Sequence, residues 1–307
     1  MKASSSIFTI VNPVAAGGKA QADWQQIIVK LFEEIGIECE EIFTECPGHA
    51  FQLTIEAVKR GFKTIIAIGG DGTANEVVNG LLHQEEVNPL EIALGVIPVG
   101  RGNDWGRSLG LPKDYRKIVE RIKEGRTVYQ DVGVVIYNDS GEKRYFMNAA
   151  GIGFSAEVAH RANRSRHKPR GTFTYLLNLL ITLVKYRSKD VEIYIDGKQA
   201  FKGLFFTALV GVGKYSGGGM KLLPEAVLDD GLLDVCIVKD VSMFKVLRNI
   251  PRIYDGSFVN DPDVILARGR EIRISSVELL HLEVDGESLA PGNFTFSILP
   301  GKLRVIA

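Results

Sequence analysis

The chain contains Gly69-Gly70-Asp71-Gly72-Thr73-Ala74-Asn75-Glu76 directly after the apolar run Thr64-Ile65-Ile66-Ala67-Ile68. The apolar run predicts a β-strand, and residues 76–82 predict a helix. A glycine turn between a strand and the N-terminus of a helix forms an anion site, because backbone N–H groups face the ligand and no Cβ blocks its approach. The helix dipole also favours negative charge there. This stretch therefore predicts a phosphate-binding loop.

Asp71 is unusual within such a loop, because its carboxylate would repel a phosphate group. A divalent cation between the two groups would remove this repulsion, so the loop predicts phosphate together with a metal. The chain has no G-x-x-x-x-G-K-[ST] pattern of P-loop proteins and no G-x-G-x-x-G that opens a first βαβ unit. The alternative interpretation is a glycine turn with only a structural role.

Length and composition limit the class of protein. The chain has 307 residues, enough for two domains, and 45% apolar with 24% charged residues is typical of a globular protein. The formal net charge is zero, so we expect no nucleic-acid partner. Cys39, Cys46 and Cys236 are too scattered for a disulfide framework. The sequence shows no signal peptide and no apolar run of about 20 residues, which favours a cytoplasmic protein.

The predicted elements change in character near residue 128. The first part alternates strands with helices, which predicts an α/β domain with a doubly wound parallel sheet; the strands are 7–11, 40–44, 64–68 and 92–97, and the helices 24–35, 50–59 and 76–82. Short alternating segments follow and predict an antiparallel β domain, either a sandwich or layered sheets. Its predicted strands are 131–136, 144–148, 191–195, 203–210, 232–238, 271–276, 279–284, 294–298 and 303–307.

This second part also contains two predicted helices. One is apolar and covers 173–184, and the other covers 243–254, where Pro251 interrupts it. The predicted domains are therefore 1–128 and 129–307. The last strands could pack back on the first domain, which the sequence does not decide.

A second glycine motif follows the strand at 92–97. Gly100 and Gly102 leave the backbone open to a ligand, and Asn103 and Asp104 come directly after them. These two polar side chains could hold a metal or orient the first loop through hydrogen bonds. The alternative for Asp104 is an N-cap of the helix that begins at Trp105.

Six ordered motifs extend over nearly the whole chain: Asn12-Pro13 with Gly17-Gly18, Gly69 to Glu76, Gly100 with Gly102-Asn103-Asp104, Gly151-Ile152-Gly153-Phe154, Gly217-Gly218-Gly219 with Pro224 and Asp230-Gly231-Leu232, and Asp285-Gly286-Glu287. In this set the chain resembles the bacterial diacylglycerol-kinase-type lipid kinases, whose catalytic fold is shared with sphingosine and ceramide kinases. NAD kinases and 6-phosphofructokinases share the first glycine motif but not the later ones. The resemblance implies a nucleotide-binding domain of their type, followed by a β-rich lipid-binding domain.

The resemblance also implies an activity: ATP-dependent phosphoryl transfer with Mg²⁺ to a lipid hydroxyl, in the first place diacylglycerol, which gives phosphatidic acid. The implied nucleotide and phosphate contacts are Asn12, Pro13, Thr44, Gly69, Gly70, Asp71, Gly72, Thr73, Asn75, Glu76, Gly100, Arg101, Gly102, Asn103 and Asp104. Arg101 stands where the family often has threonine. Its guanidinium could neutralise phosphate through a charge-assisted pair, or it could be a solvated surface side chain.

The implied catalytic residues are Glu287, Asp71 and Asp285. By resemblance, Glu287 is the general base that takes the proton from the lipid hydroxyl, and Asp285 supports the metal. Taken alone, Asp285-Gly286 predicts only a two-residue hairpin turn. A structural Mg²⁺ is implied at the Asp230 carboxylate and the carbonyls of Val227 and Leu232, with a plain turn as the alternative.

A membrane surface is the expected place of the lipid substrate. The basic run from Arg161 to Arg170 contains no acidic residue and precedes the apolar helix at 173–184, which suits peripheral contact with the inner membrane face. The alternative is a solvated loop beside a packed helix. A homodimer is possible. Two rival functions remain open: a soluble-substrate kinase of the NAD kinase type, and a lipid-binding homologue without catalysis.

Overall fold

The computed structural model describes residues 7–100, 102–164 and 172–307, with the side chains of 162–164 and 172–178 outside the description. The backbone forms two compact units. The first ends at Val132 and also contains Pro300–Ala307, and the second is Gly133–Leu299. The chain is therefore a mixed α/β protein whose C-terminal eight residues belong with its N-terminal unit.

The first unit contains a parallel sheet. Its strands β1 to β4 and helices α1 to α6 are β1 (Ile7–Val11), α1 (Lys19–Asp23), α2 (Val29–Ile35), β2 (Cys39–Phe43), α3 (His49–Lys59), β3 (Thr64–Gly69), α4 (Asp71–His83), β4 (Ala93–Pro98), α5 (Asp104–Ser108) and α6 (Tyr115–Glu124). A π-helical turn, Trp24–Ile28, joins α1 to α2. The strand order is β2-β1-β3-β4, all parallel, and the predicted doubly wound sheet is confirmed.

Both faces of this sheet are covered. Ile7 and Val11 contact the apolar cluster under α1, α2 and α6, whereas the buried Phe8 and Ile10 point to the opposite face, because side chains alternate along a strand. Helices α3 and α4 pack together and contact β1 and β3. A Cβ on Gly80 would lie 2.6 Å from the Phe51 carbonyl oxygen, so glycine is needed where these two helices meet.

Helix α4 begins five residues earlier than predicted. Gly70 is extended, with φ −92° and ψ −176°, and Asp71 is already helical. The glycine turn is therefore only Gly69-Gly70, and Thr73 and Asn75 lie on the buried side of the helix. The prediction was wrong because Gly-Asp-Gly was interpreted as a loop, although an acidic residue in the first turn favours a helix start.

The second unit is antiparallel. Its elements begin with the end of β5 (Thr127–Tyr137), which starts in the first unit, and continue with β6 (Lys143–Phe146), β7 (Ala149–Gly153), α7 (Phe154–Arg164), α8 (Thr172–Lys185), β8 (Lys189–Ile195), β9 (Lys198–Gly211), β10 (Leu233–Lys239), α9 (Met243–Asp255), β11 (Val264–Gly269), β12 (Glu271–Ser275), β13 (Leu282–Val284), β14 (Glu287–Leu289) and β15 (Phe294–Ile306). The strand path is β14-β13-β7-β9-β8-β12-β15, and β10 pairs with β9 and β11. The predicted antiparallel β domain is confirmed.

Some predicted elements differ from the structure. Strands β7, β11 and β14 were missed. Strand β7 is rich in glycine and β14 has only three residues, whereas β11 begins with an apolar run and was overlooked. The two strands predicted at 294–298 and 303–307 are one strand, β15. Its residues Arg304 and Val305 pair in parallel with Ala93 and Leu94 of the first unit's sheet. Helix α9 continues through Pro251, although an interruption was predicted there.

The helices of the described residues include none that is long and apolar enough to cross a membrane. The predicted basic run lies largely outside the described residues: of its side chains the structure describes only that of Arg161. Arg101 also lies outside them.

Candidate active site

Two glycine-bearing bends of the first unit lie side by side. The main-chain N–H of Asn12, which follows β1, donates to the Ile68 carbonyl at 2.9 Å. The Asn12 side-chain Nδ2 donates to Thr73 Oγ1 at 2.9 Å. A Cβ on Gly69 would lie 2.6 Å from the same Oγ1, so only glycine fits at the end of β3. The structure thus brings the Asn12-Pro13 bend to the first turn of α4.

The third motif joins this pair through Asp71. Its Oδ2 accepts the N–H of Asp104 at 3.1 Å, and its Oδ1 accepts the N–H of Trp105 at 3.3 Å. Asp71 therefore caps α5 from a distance, and Asp104 is the first helical residue instead of its own N-cap. Gly102 is close to the same carboxylate, since a Cβ added to this glycine would lie 3.1 Å from Asp71 Oδ2.

Burial gives Asp71 an unusual proton affinity. Desolvation raises the pKa of this carboxyl above its ordinary value, and the nearby Asp104 carboxylate raises it further. The two backbone N–H groups and Arg107 act in the opposite direction. Two carboxylates this close repel each other, and a divalent cation with oxygen ligands would relieve that repulsion. Asp71 and Asp104 therefore fit the metal that the loop predicted.

Asn103 is held in the left-handed region, with φ 50°. Its Nδ2 donates to the Gly100 carbonyl at 3.1 Å, which closes the glycine turn after β4. Its Oδ1 is buried and has no hydrogen-bond partner within the described chain. A buried acceptor without a partner is costly, so this atom is available to a ligand or water.

The Glu76 carboxylate contacts the segment before α3. Its Oε1 accepts the N–H of Gly48 at 2.9 Å, and its Oε2 accepts the N–H of Ala50 at 3.1 Å. The carboxylate thus caps α3 and fixes the loop that begins at Thr44, whose N–H donates to the Val11 carbonyl. Asn75 is fully buried inside α4 and accepts from Asn79 Nδ2 at 3.0 Å. Glu76 thus positions the loop before α3, and Asn75 forms a hydrogen bond within α4.

In the second unit, Asp285 and Gly286 form the two-residue turn between β13 and β14. Both have positive φ, 47° and 87°, as the Asp-Gly turn signal predicted. The buried Asp285 carboxylate accepts three main-chain N–H groups, from Met147 at 3.0 Å, Asn148 at 3.2 Å and Ala149 at 3.0 Å. The side chain therefore anchors the segment before β7 and holds the turn in place.

Glu287, the next residue after this turn, is paired with an arginine that the sequence did not indicate. Its Oε2 lies 2.8 Å from Nη2 of Arg144 on β6. The Glu287 side chain is 37% exposed, so it is accessible while the pair fixes its direction. The neighbouring Ser288 Oγ lies 3.2 Å from His160 Nδ1, and the His160 ring lies against that of His281. The predicted base thus sits within a polar network of the second unit.

Comparisons with known proteins show the family to which the chain belongs. Residues 6–135 match the model of the diacylglycerol kinase catalytic domain, and residues 148–307 match the YegS C-terminal NAD kinase beta sandwich-like domain. The Bacillus subtilis (strain 168) protein named diacylglycerol kinase is 34% identical over 290 residues, 93% of this chain and 91% of the relative. The Staphylococcus carnosus (strain TM300) protein of the same name is 33% identical and covers 93% of this chain and 90% of its own length. The chain belongs to the diacylglycerol kinase family.

Solved structures give the same family fold. A crystal structure of a Bacillus anthracis (strain Sterne) protein superposes with a TM-score of 0.76 at 25% identity, over 98% of this chain and 96% of the other. A second crystal structure from that strain, described as a diacylglycerol kinase, has a TM-score of 0.71 at 24% identity. At 24% identity, this second match shows only that the fold is shared.

The turn around Asp230 is the place of the structural Mg²⁺ implied for this diacylglycerol kinase family member. Asp230 Oδ1 accepts the N–H of Leu232 at 3.1 Å, and its Oδ2 is paired with the Arg268 guanidinium. Arg268 also pairs with Asp234 at 3.1 Å. The described residues include no group of three or more His, Cys, Asp or Glu arranged to hold a metal. Arg268 already supplies a positive charge at the Asp230 carboxylate, and the Mg²⁺ implied at Val227, Asp230 and Leu232 stays a prediction.

Proposed function

We propose that this protein transfers the γ-phosphate of ATP to the hydroxyl of a membrane lipid, with diacylglycerol as the acceptor and phosphatidic acid as the product. The observation that carries the proposal is the convergence of three motifs around the first turn of α4. The Asn12–Thr73 and Asp71–Asp104 hydrogen bonds join them. The family membership supports the kinase class, and the site supports the role of each residue.

The first turn of α4 supplies the phosphate contacts in this proposal. The N–H groups of the first turn of a helix have no partner within the helix, and they face the end of β3. Gly70 and Gly72 keep the approach to these groups free of Cβ atoms. Oxyanions are held by such N–H groups and by the positive end of the helix dipole. We assign the triphosphate of ATP to this position.

Asp71 and Asp104 are the residues that would hold Mg²⁺ beside the nucleotide. Burial raises the pKa of Asp71, and the Asp104 carboxylate raises it further, so a cation beside both carboxylates would favour their charged forms. When bound, the metal neutralises charge on the transferring phosphoryl group. The start of α5 holds the two residues together, because the N–H groups of Asp104 and Trp105 donate to the Asp71 carboxylate.

Glu287 is the proposed general base. A hydroxyl that attacks phosphorus loses its proton during transfer, and a carboxylate within hydrogen-bond reach accepts it. The Arg144 guanidinium holds one carboxylate oxygen at 2.8 Å and so fixes the direction of the base. Asp285 positions Glu287 from the preceding turn through its three backbone hydrogen bonds. Asp285 therefore acts on the base in this proposal and not on the metal.

A transfer assay tests the substrate class. The protein is incubated with γ-labelled ATP, Mg²⁺ and one acceptor at a time: detergent-dispersed diacylglycerol, phosphatidylglycerol, a sphingoid base or NAD. Label in phosphatidic acid supports the proposal. Label in NADP would favour the rival soluble-substrate kinase, and lipid binding without ADP release on any acceptor would favour the rival non-catalytic homologue.

A further inference from the structure

Helix α5, Asp104–Ser108, carries Asp104 to the proposed metal site, yet it is too short to fix its own position. Its five residues form little more than one helical turn. Isolated helices shorter than about 12 residues are marginal in water, because few internal hydrogen bonds offset the cost of starting a helix. The position of Asp104 therefore depends on contacts between α5 and the rest of the first unit.

Trp105 makes such a contact with its side chain. The indole is fully buried, and its Nε1 donates to Gln130 Oε1 at 2.9 Å. Gln130 is itself fully buried. The main-chain N–H of Trp105 donates to Asp71 Oδ1 at 3.3 Å. One residue therefore connects the Asp71 carboxylate, through its main chain, to Gln130, through its side chain.

The strand that carries Gln130 is held in place by the residue next to it. Gln130 lies on β5, which pairs with β15. The adjacent Asp131 is buried, and its Oδ1 accepts the N–H of Gly301 on β15 at 2.7 Å. Side chains alternate along a strand, so Gln130 points to the face opposite Asp131. The acceptor for the Trp105 indole thus belongs to the sheet and not to a loop.

Helix α5 also packs directly against the end of β4. A Cβ added to Gly106 would lie 3.2 Å from Cγ of Pro98, the last residue of β4. An apolar contact of this kind has no preferred direction, whereas a hydrogen bond weakens steeply as its angle departs from linearity. The hydrogen bond between Trp105 and Gln130 therefore restricts the rotation of α5 more closely than the packing does.

Loss of this hydrogen bond would reach the metal carboxylates through the main chain of α5. Because Trp105 is fully buried, removal of the Gln130 acceptor would leave a buried donor unpaired. A shift of α5 that gives the indole another acceptor would also move the N–H groups of Asp104 and Trp105, which donate to Asp71 at 3.1 and 3.3 Å. Groups that orient the ligands of a metal from behind have a strong effect on metal affinity.

We propose that Trp105 and Gln130 are positioning residues for the metal carboxylates, because their hydrogen bond sets where the start of α5 meets Asp71. Neither side chain touches Mg²⁺, the nucleotide or the acceptor. The proposal rests on the proposed function for one step, the assignment of Mg²⁺ to Asp71 and Asp104. Loss of the hydrogen bond should therefore weaken Mg²⁺ binding even where the fold is retained.

Nucleotide binding in the absence of a lipid acceptor tests the role of Gln130. Calorimetry measures the affinity for a non-hydrolysable ATP analogue twice, once with saturating Mg²⁺ and once in EDTA. The ratio of the two affinities, the Mg²⁺ ratio, reports on the metal site alone. Gln130→Met keeps the length of the side chain and removes the acceptor. We expect this variant to lower the Mg²⁺ ratio about tenfold and to leave the affinity in EDTA unchanged.

Gln84→Met is the matched control, since it makes the same change at another buried glutamine of the first unit. Gln84 follows α4 at the end opposite Asp71, and its side-chain amide donates to two main-chain carbonyls. Both variants should lower the Tm, because each removes buried hydrogen bonding, but only Gln130→Met should lower the Mg²⁺ ratio. A wild-type ratio in Gln130→Met, or equal losses in the two variants, would overturn the proposal.

A double variant covers the case in which Gln130→Met folds poorly. Trp105→Phe/Gln130→Met removes the donor and the acceptor together, so it leaves no buried indole N–H unpaired. The hydrogen bond is absent in this protein too, and its Mg²⁺ ratio should stay about tenfold below that of wild type. A wild-type ratio would overturn the proposal.

The outcomes separate the positioning role from the proposed function. Transfer to diacylglycerol by wild type, together with an unchanged Mg²⁺ ratio in Gln130→Met, would overturn the positioning role alone. No transfer to any lipid, with a ratio lowered only in Gln130→Met, would overturn the lipid acceptor and support the positioning role. Binding of the analogue to wild type without any dependence on Mg²⁺ would overturn both.

Discussion

Arg144 Nη2 lies 2.8 Å from Glu287 Oε2, and this pair fixes the carboxylate that we assign as the general base. Arg144 belongs to β6 and Glu287 to β14, so the two meet only through the fold of the second unit. The arginine touches neither nucleotide nor acceptor in our account. It is a positioning residue, and its effect should be visible in the rate of transfer.

Arg144→Gln should therefore lower kcat by about tenfold and change KM for ATP little, because the base loses its orientation while the nucleotide site is untouched. Arg144→Lys should recover part of the rate, since it keeps the charge. The neighbouring exposed residue gives the control Lys143→Gln, which should retain wild-type kinetics. A rise in KM of about tenfold with no change in kcat would show that Arg144 binds substrate instead.

Asp71→Asn should abolish transfer and remove one source of pH dependence from the stability of the metal-free protein. Burial raises the pKa of Asp71, so the folded protein favours the protonated acid. The protonated Asp71 carboxyl therefore contributes its full stability below the unfolded pKa, near 4. This contribution is lost as the pH rises through the folded pKa. In EDTA, the Tm of wild type should fall relative to that of Asp71→Asn as the pH rises above about 4.

The control for that comparison is Mg²⁺ with ATP, which should raise the Tm of wild type and leave that of Asp71→Asn nearly unchanged. A Tm difference that is independent of pH would contradict the assigned effect of burial. Exposed Glu85→Gln should show neither the pH trend nor a loss of activity.

Glu76→Gln should loosen the loop before α3. The carboxylate accepts the N–H groups of Gly48 and Ala50, and an amide can replace only one of these acceptors. We expect a loss of about 1–2 kcal/mol in the free energy of unfolding and several-fold weaker ATP binding. Chemical denaturation and calorimetry measure the two effects. Weaker ATP binding without any loss of stability would mean that Glu76 contacts the nucleotide directly.

Gly69→Ala should distort the bend between β3 and α4. The added Cβ would lie 2.6 Å from Thr73 Oγ1 and 3.3 Å from the Cβ of Asn12. We expect a loss of roughly 1–3 kcal/mol in the free energy of unfolding and weaker ATP binding. The double variant Gly69→Ala/Thr73→Ala removes the closest contact and should recover part of the stability. No recovery would mean that the steric conflict lies elsewhere.

The sequence predicts the local part of this architecture well. Strand β3 is a continuous apolar run and α4 follows at once, so the phosphate-binding bend can be recognised from neighbours in the chain. The hairpin at Asp285-Gly286 is equally local, because both residues must adopt positive φ. The change in element pattern near residue 128 predicted two domains, and resemblance to the diacylglycerol kinase family added the roles of the motifs.

The long-range contacts of polar side chains were not predictable in the same way. Nothing in the spacing of Glu76 indicates that it caps α3, and nothing near Arg144 indicates a partner 143 residues later. Strand β15 was divided in two because Pro300-Gly301 is a turn signal, yet the Gly301 N–H is satisfied by Asp131 Oδ1 at 2.7 Å. Such partners depend on the fold that brings them together.

Transfer of γ-labelled phosphate from ATP to dispersed diacylglycerol by wild type, Glu287→Gln and the control Glu142→Gln tests the central claim most directly. The account predicts labelled phosphatidic acid with wild type and the control, and a rate about 10²–10⁴-fold lower with Glu287→Gln, while calorimetry shows ATP affinity unchanged within about twofold. Wild-type transfer by Glu287→Gln, or no binding of ATP to the wild-type protein, would contradict it.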